Sequence, residues 1–131
     1  VEADDVARYW VDLGEVWTIE QNYIKPYPIC RWAHAALDAL SGLMCAHGFS
    51  ADDVTRIEVN TFAEAAALFP DMPATTSQAQ YSLSFALAAM LVHGRIGPGD
   101  ISGAALSDPK VAEVLSRVAV REDAFTANMA V

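Results

Sequence analysis

Val54-Thr55-Arg56-Ile57-Glu58-Val59-Asn60-Thr61 alternates in the manner of a strand with two unlike faces. Ile57, Val59 and Thr61 fall on one side and Arg56, Glu58 and Asn60 on the other, because successive strand side chains point to opposite faces. One side is therefore packed, and the other is wetter or used for contact. Upstream, Ile29, Trp32, Ala33, Ala36, Leu37, Leu40, Leu43 and Met44 recur at the roughly 3.6-residue period of a helix lying on a sheet. The period predicts a helix from Ile29 to His47, with Pro28 at its first position and Gly48 as its C-terminal cap.

Downstream, Phe62 to Leu68 reads as a short alanine-rich helix stopped by Pro70, and Asp71 to Thr76 as a loop. Ser77 and Gln80 have the spacing of a capping box, which predicts a helix through Leu83, Ala86, Leu87, Met90 and Leu91 that closes at Gly94. Gly97-Pro98-Gly99 breaks the chain. Asp108-Pro109 starts another helix, with the cap followed by proline, that runs to Ser116. Val118-Ala119-Val120 reads as a final strand. Before all of these, Asp4 to Leu13 reads as a short helix ending at Gly14, and Trp17 to Ile24 as a strand. Lys25-Pro26-Tyr27-Pro28 must be extended, since each proline lacks an N–H and pushes its predecessor out of the α region. Strands separated by helices predict an α+β chain built as a two-layer α/β sandwich rather than a bundle.

At 131 residues, 53% of them hydrophobic, the chain has material for one domain and one core. Charged or polar residues interrupt every apolar stretch before it reaches membrane-spanning length. The start of the sequence lacks the basic and then apolar pattern of a secretory signal. It opens on Val1 rather than Met, so the expectation is a piece of a longer chain. A net charge of −9 argues against nucleic acid, which demands a cationic footprint. It does not argue against an anionic ligand held at a locally cationic site. Cys30 and Cys45, on one predicted helix, would lie about 22 Å apart, beyond disulfide reach. Two free thiols fit a reducing cytoplasm.

Two stretches resemble the MmgE/PrpD family. Lys25-Pro26-Tyr27-Pro28-Ile29-Cys30, followed by His34 and then Leu37-Asp38-Ala39, is similar to that family's Lys-x-Tyr-Pro-x-Cys…His…Asp-Ala segment. Thr76-Ser77-Gln78-Ala79-Gln80-Tyr81-Ser82-Leu83-Ser84-Phe85, continuing through Met90-Leu91 to Gly94, resembles its Ala-x-Tyr-Ser-Leu helix, which ends before an Ile-x-x-x-Asp turn. The family includes 2-methylcitrate dehydratases, cis-aconitate decarboxylases and iminodisuccinate epimerases. Its members join a large all-helical domain to a smaller α+β domain, with the active site in the cleft between them. The resemblance covers only the smaller domain over residues 1–131, here a lid with a mostly antiparallel sheet and helices packed on one face. It implies a cytoplasmic, homodimeric, cofactor-independent lyase or isomerase of small polycarboxylic acids. Its partners would be that substrate and the all-helical domain, with neither nucleic acid nor membrane involved. Without the helical domain, which supplies His and Asp residues near the reacting carbon, the chain alone is expected to be inactive. A non-catalytic anion-binding or assembly module is the rival reading.

Lys25 sits where the extended turns meet the predicted helix start, and free N–H groups there favour anions. A lysine so placed pairs with a carboxylate and stabilises the enolate-like charge that forms when a proton leaves the α-carbon. The resemblance implies the same role. Cys30, His34 and Asp38 recur every fourth residue as a polar strip. A metal site on one helix has too few convergent ligands to close. A Cys–His nucleophile pair has no acyl-transfer signature beside it. In the remaining reading Cys30 lines the cleft while His34 and Asp38 hydrogen-bond inside the domain. For His34 that stands beside a second possibility, an imidazole facing the substrate carboxylate. The candidate set is thus Lys25 and His34 for catalysis, and Lys25, Tyr27 and Cys30 for substrate binding. No phosphate loop, dinucleotide motif or metal cluster implies a cofactor.

Overall fold

The structure, a computed structural model, describes residues 6–123. Among the described residues lie the α-helices α1 (His34–His47), α2 (Ala63–Ala66), α3 (Thr76–Gln80), α4 (Leu83–His93) and α5 (Pro109–Leu115). Two strands, β1 (Ile57–Thr61) and β2 (Val118–Glu122), complete the regular structure together with several 3-10 turns.

The core is built around α4. Every residue from Leu83 to Leu91 is buried, Phe85 completely. A helix apolar on all sides is stable only when neighbours surround it, and here α1, α5 and β2 pack against it. Ser82 starts the helix by accepting the Phe85 N–H at 3.1 Å, and Gly94 ends it in the left-handed conformation. Gly48, at φ +66°, ends α1 in the same way, as expected from the sequence. Asp108 caps α5, accepting from the Lys110 N–H at 2.8 Å.

β1 has the expected alternation: Ile57, Val59 and Thr61 are half-buried, while Glu58 and Asn60 are exposed. The sheet itself differs from expectation. Among the described residues it has two strands, and β1 and β2 run parallel, with Ile57 opposite Val118 and Thr61 opposite Glu122. Parallel pairing follows from the connection, since a chain segment holding α2 to α5 crosses over between the strands. Arg117 fixes the entry to both strands by donating to the carbonyls of Ala51 and Val54 at 3.1 and 2.8 Å.

Three further expectations are corrected. Residues 17–24 form no strand; Thr18–Gln21 is a 3-10 turn and the whole segment is exposed. The α-helix expected from Ile29 starts at His34, after a 3-10 turn over Arg31–Ala33. The helix expected to open at Ser77 is two helices, with Tyr81 and Ser82 between them. Its first cap is Thr75, which accepts from Gln78 N–H at 3.2 Å, while the Gln78 side chain accepts from Ala74 N–H. The helix expected over Asp4–Leu13 begins outside the described residues; within them, Arg8–Trp10 is a 3-10 turn.

Candidate functional site

Lys25-Pro26-Tyr27-Pro28-Ile29-Cys30 wraps one side of a cleft of about 560 Å³. The opposite wall is the break between α3 and α4, at Gln80 and Tyr81, with Ile96, Gly97 and Pro98 beyond it. The two walls are joined at the main chain, where Cys30 N–H donates to Gln80 C=O at 2.7 Å. The two stretches singled out in the sequence therefore meet in one place.

The Ile29 carbonyl is the node of this wall. Lys25 Nζ donates to it at 3.3 Å, and His34 Nε2 lies 3.3 Å away on its other side. With Nε2 carrying the proton for that contact, the buried Nδ1 is left as an acceptor, and it has no hydrogen-bond partner. His34 is 5% exposed and lies behind the cleft wall rather than on it. Lys25 is exposed, Cys30 is a half-buried free thiol, and both line the cleft. Among the described residues that line the cleft, Lys25 is the only charged one.

Tyr27 ties the wall to α1. Its hydroxyl donates to Asp38 Oδ1 at 2.7 Å, and its ring meets His34 edge-on, with centroids 5.2 Å apart. The Asp38 hydrogen bond, followed by burial and the Asp38 charge, pushes the Tyr27 phenol up from 10.0 to about 12. A raised phenol stabilises the fold fully below 10.0, and that contribution is lost as pH rises through about 12. Ultraviolet titration is expected to show one phenol, absent in Tyr27→Phe, ionising near pH 12 and returning towards 10 in Asp38→Ala. A Tyr27 phenol already ionising at the ordinary value in the unmutated chain would show that the Asp38 contact does not hold.

A larger groove, of about 920 Å³, lies between α1 and β1. Its walls are mostly apolar, and its charged members are Glu58 and Glu64. It therefore lacks the cation that a carboxylate ligand requires, so the smaller cleft is the candidate site. Among the described residues, no group of three His, Cys, Asp or Glu side chains is placed to hold a metal ion.

Gln80 and Tyr81 stand outside the candidate set read from the sequence, which also did not bring Ile96, Gly97 and Pro98 to the cleft. The available signal was the Ile-x-x-x-Asp turn after the second motif, which Ile96 and Asp100 supply. Asp100 shapes that turn by accepting the Gly97 N–H at 2.8 Å.

The family model of the MmgE/PrpD C-terminal domain matches residues 27–129, more than three quarters of the 131-residue chain. The chain belongs to the MmgE/PrpD family. Comparison with curated proteins returns no match. MmgE/PrpD proteins are associated with dehydratase and lyase-type enzymes. The matched region takes in both cleft walls except Lys25 and Pro26, which directly precede it. Among the described residues, no helix of this MmgE/PrpD domain is long and apolar enough to cross a membrane.

Proposed function

We propose that this chain is the smaller, lid-like domain of a cytoplasmic, cofactor-independent lyase or isomerase acting on small polycarboxylic acids of the 2-methylcitrate type. The observation that carries the reading is the convergence of both motif stretches on one cleft, where Lys25 is the only charged one among the described residues that line it. The chemistry is removal of a proton beside a carboxylate, followed by loss of water or CO₂ or by reprotonation. Lys25 holds the carboxylate as a compact cation and stabilises the negative charge that spreads onto it as the proton leaves. Tyr27 and Cys30 line the cleft. His34 acts through the Ile29 carbonyl, holding the turn on which Lys25 stands.

The proton-transfer groups come from the all-helical domain of the same homodimeric enzyme. A lysine and a thiol alone do not make the acid–base pair that this chemistry requires. Replacing Lys25 in the complete enzyme tests the assignment, and a variant with unchanged turnover removes it.

A further inference from the structure

Asp38 does not line the cleft, yet it is tied to the segment that carries Lys25. It is exposed on α1, one helical turn after His34, so the two side chains share a face of that helix. Both reach the Lys25–Cys30 wall. Asp38 Oδ1 accepts from the Tyr27 hydroxyl at 2.7 Å, while His34 meets the Tyr27 ring edge-on and the Ile29 carbonyl at 3.3 Å. The same carbonyl accepts from Lys25 Nζ at 3.3 Å.

Lys25 has reason to depend on such ties. It stands outside the helices and strands, and residues 17–24 before it are exposed. Tyr27, two residues on, sits between Pro26 and Pro28, whose rings fix φ at about −65°. Those prolines also confine Lys25 and Tyr27, the residues before them, to extended conformations. Few torsions are left free between the lysine backbone and the tyrosine ring. Fixing the ring therefore fixes the direction from which the lysine meets the cleft.

The direction of the Tyr27 hydroxyl separates two roles. The residue lines the cleft, but its O–H is engaged by a carboxylate that does not. A hydrogen bond to an ionised acceptor is among the strong ones. With its proton held by Asp38, the phenol serves as a strut between the wall and α1 and not as a donor to a ligand.

We propose that Asp38 is a positioning residue for Lys25: through the Tyr27 hydroxyl it braces the Lys25–Cys30 segment against α1 and sets where the ammonium meets a ligand carboxylate. The inference rests on the reading of Lys25 as the carboxylate's partner. Without the brace, the Ile29 carbonyl keeps its contact with His34 and the Cys30 amide its bond to Gln80. The wall stays attached at that end, and the lysine end loses its fixed direction.

The test is the affinity of the 131-residue chain for citrate, read from amide NMR shifts, with circular dichroism on each variant. Lys25→Ala sets the scale of what the lysine contributes. Tyr27→Phe, which keeps the ring, and Asp38→Ala, which removes the acceptor, are each expected to weaken citrate binding by about tenfold, less than the roughly hundredfold that a misplacement of about 1 Å can cost a reacting pair. Circular dichroism should not change, and if Asp38→Ala loses structure, Tyr27→Phe decides. Asp38→Asn keeps an acceptor oxygen and is expected to restore most of the affinity. In Lys25→Ala, where weak residual binding is read at high citrate, adding Tyr27→Phe is expected to cost nothing further, since the brace acts through the lysine. A further loss there would mean that the hydroxyl touches citrate or that the fold has loosened, and it overturns the proposal. Tighter binding in Asp38→Ala and Asp38→Asn also overturns it, because the carboxylate would then act by repelling the anion. Wild-type affinity in Tyr27→Phe, with binding lost in Lys25→Ala, removes the brace and leaves the reading of Lys25 standing. Full affinity in Lys25→Ala, or no citrate binding by the unmutated chain, removes both.

Discussion

Lys25→Ala in the complete enzyme is expected to lower turnover by about two to three orders of magnitude, the usual loss when one preorganised electrostatic contact is removed. The fold should barely change. Lys25 is exposed, and exposed substitutions usually stay within about 0.5 kcal/mol. The Ile29 carbonyl that accepts its hydrogen bond is shared with His34, so the carbonyl keeps a donor when the lysine is gone. Activity and stability therefore separate at this residue. Lys25→Arg should restore only part of the rate, because a planar guanidinium does not occupy the place of a compact ammonium. Steady-state kinetics against 2-methylcitrate and cis-aconitate, beside thermal melts of the same samples, read both quantities. A variant that loses activity only because it unfolds would make Lys25 structural.

Phe85→Ala should have the opposite signature, with a loss of about 3–5 kcal/mol of stability. The side chain is fully buried in the middle of α4, and its neighbours along the helix are buried as well. Removing the ring leaves a cavity that surrounding helices close only in part. Against a total stability of about 5–15 kcal/mol, that is a large fraction. Urea denaturation of the chain is the measurement. A change below about 1 kcal/mol, the range of surface positions and mild repacking, would mean that α4 is not the centre of the core.

Much of this architecture is legible in the residues, and the exceptions have physical causes. Gly48 and Gly94 announce helix ends because both adopt positive φ, which other residues resist. Asp108-Pro109 announces a helix start because cap and proline act locally. The start of α1 is not local. Ile29 continues the apolar stripe and Cys30 follows it, but the Ile29 carbonyl serves Lys25 and His34 and the Cys30 amide serves Gln80. Those tertiary bonds draw the residues out of a helix that their periodicity favours. Thr75 and Gln78 have the same spacing as Ser77 and Gln80, so capping-box logic alone does not choose between them. The strand expected at Trp17–Ile24 has the right alternation, yet a strand also requires a neighbouring edge, which alternation does not supply. Likewise, β1 and β2 are each readable, but their parallel pairing depends on how α2 to α5 pack between them.

At the site, sequence spacing placed Lys25, Tyr27 and Cys30 on a common wall because they sit within six residues. It left His34 divided between two roles, since periodicity fixes which face of a helix a residue occupies and not how deep that face lies.

The most direct measurement of whether the Lys25 cleft takes a polycarboxylate is an amide NMR titration of the chain with citrate. Saturable shifts are predicted at Lys25, Tyr27, Ile29 and Cys30 on one wall and at Gln80, Tyr81 and Gly97 on the other, and they should be largely lost in Lys25→Ala. Citrate-induced shifts that miss these residues, or that persist unchanged without the lysine, would contradict the assignment.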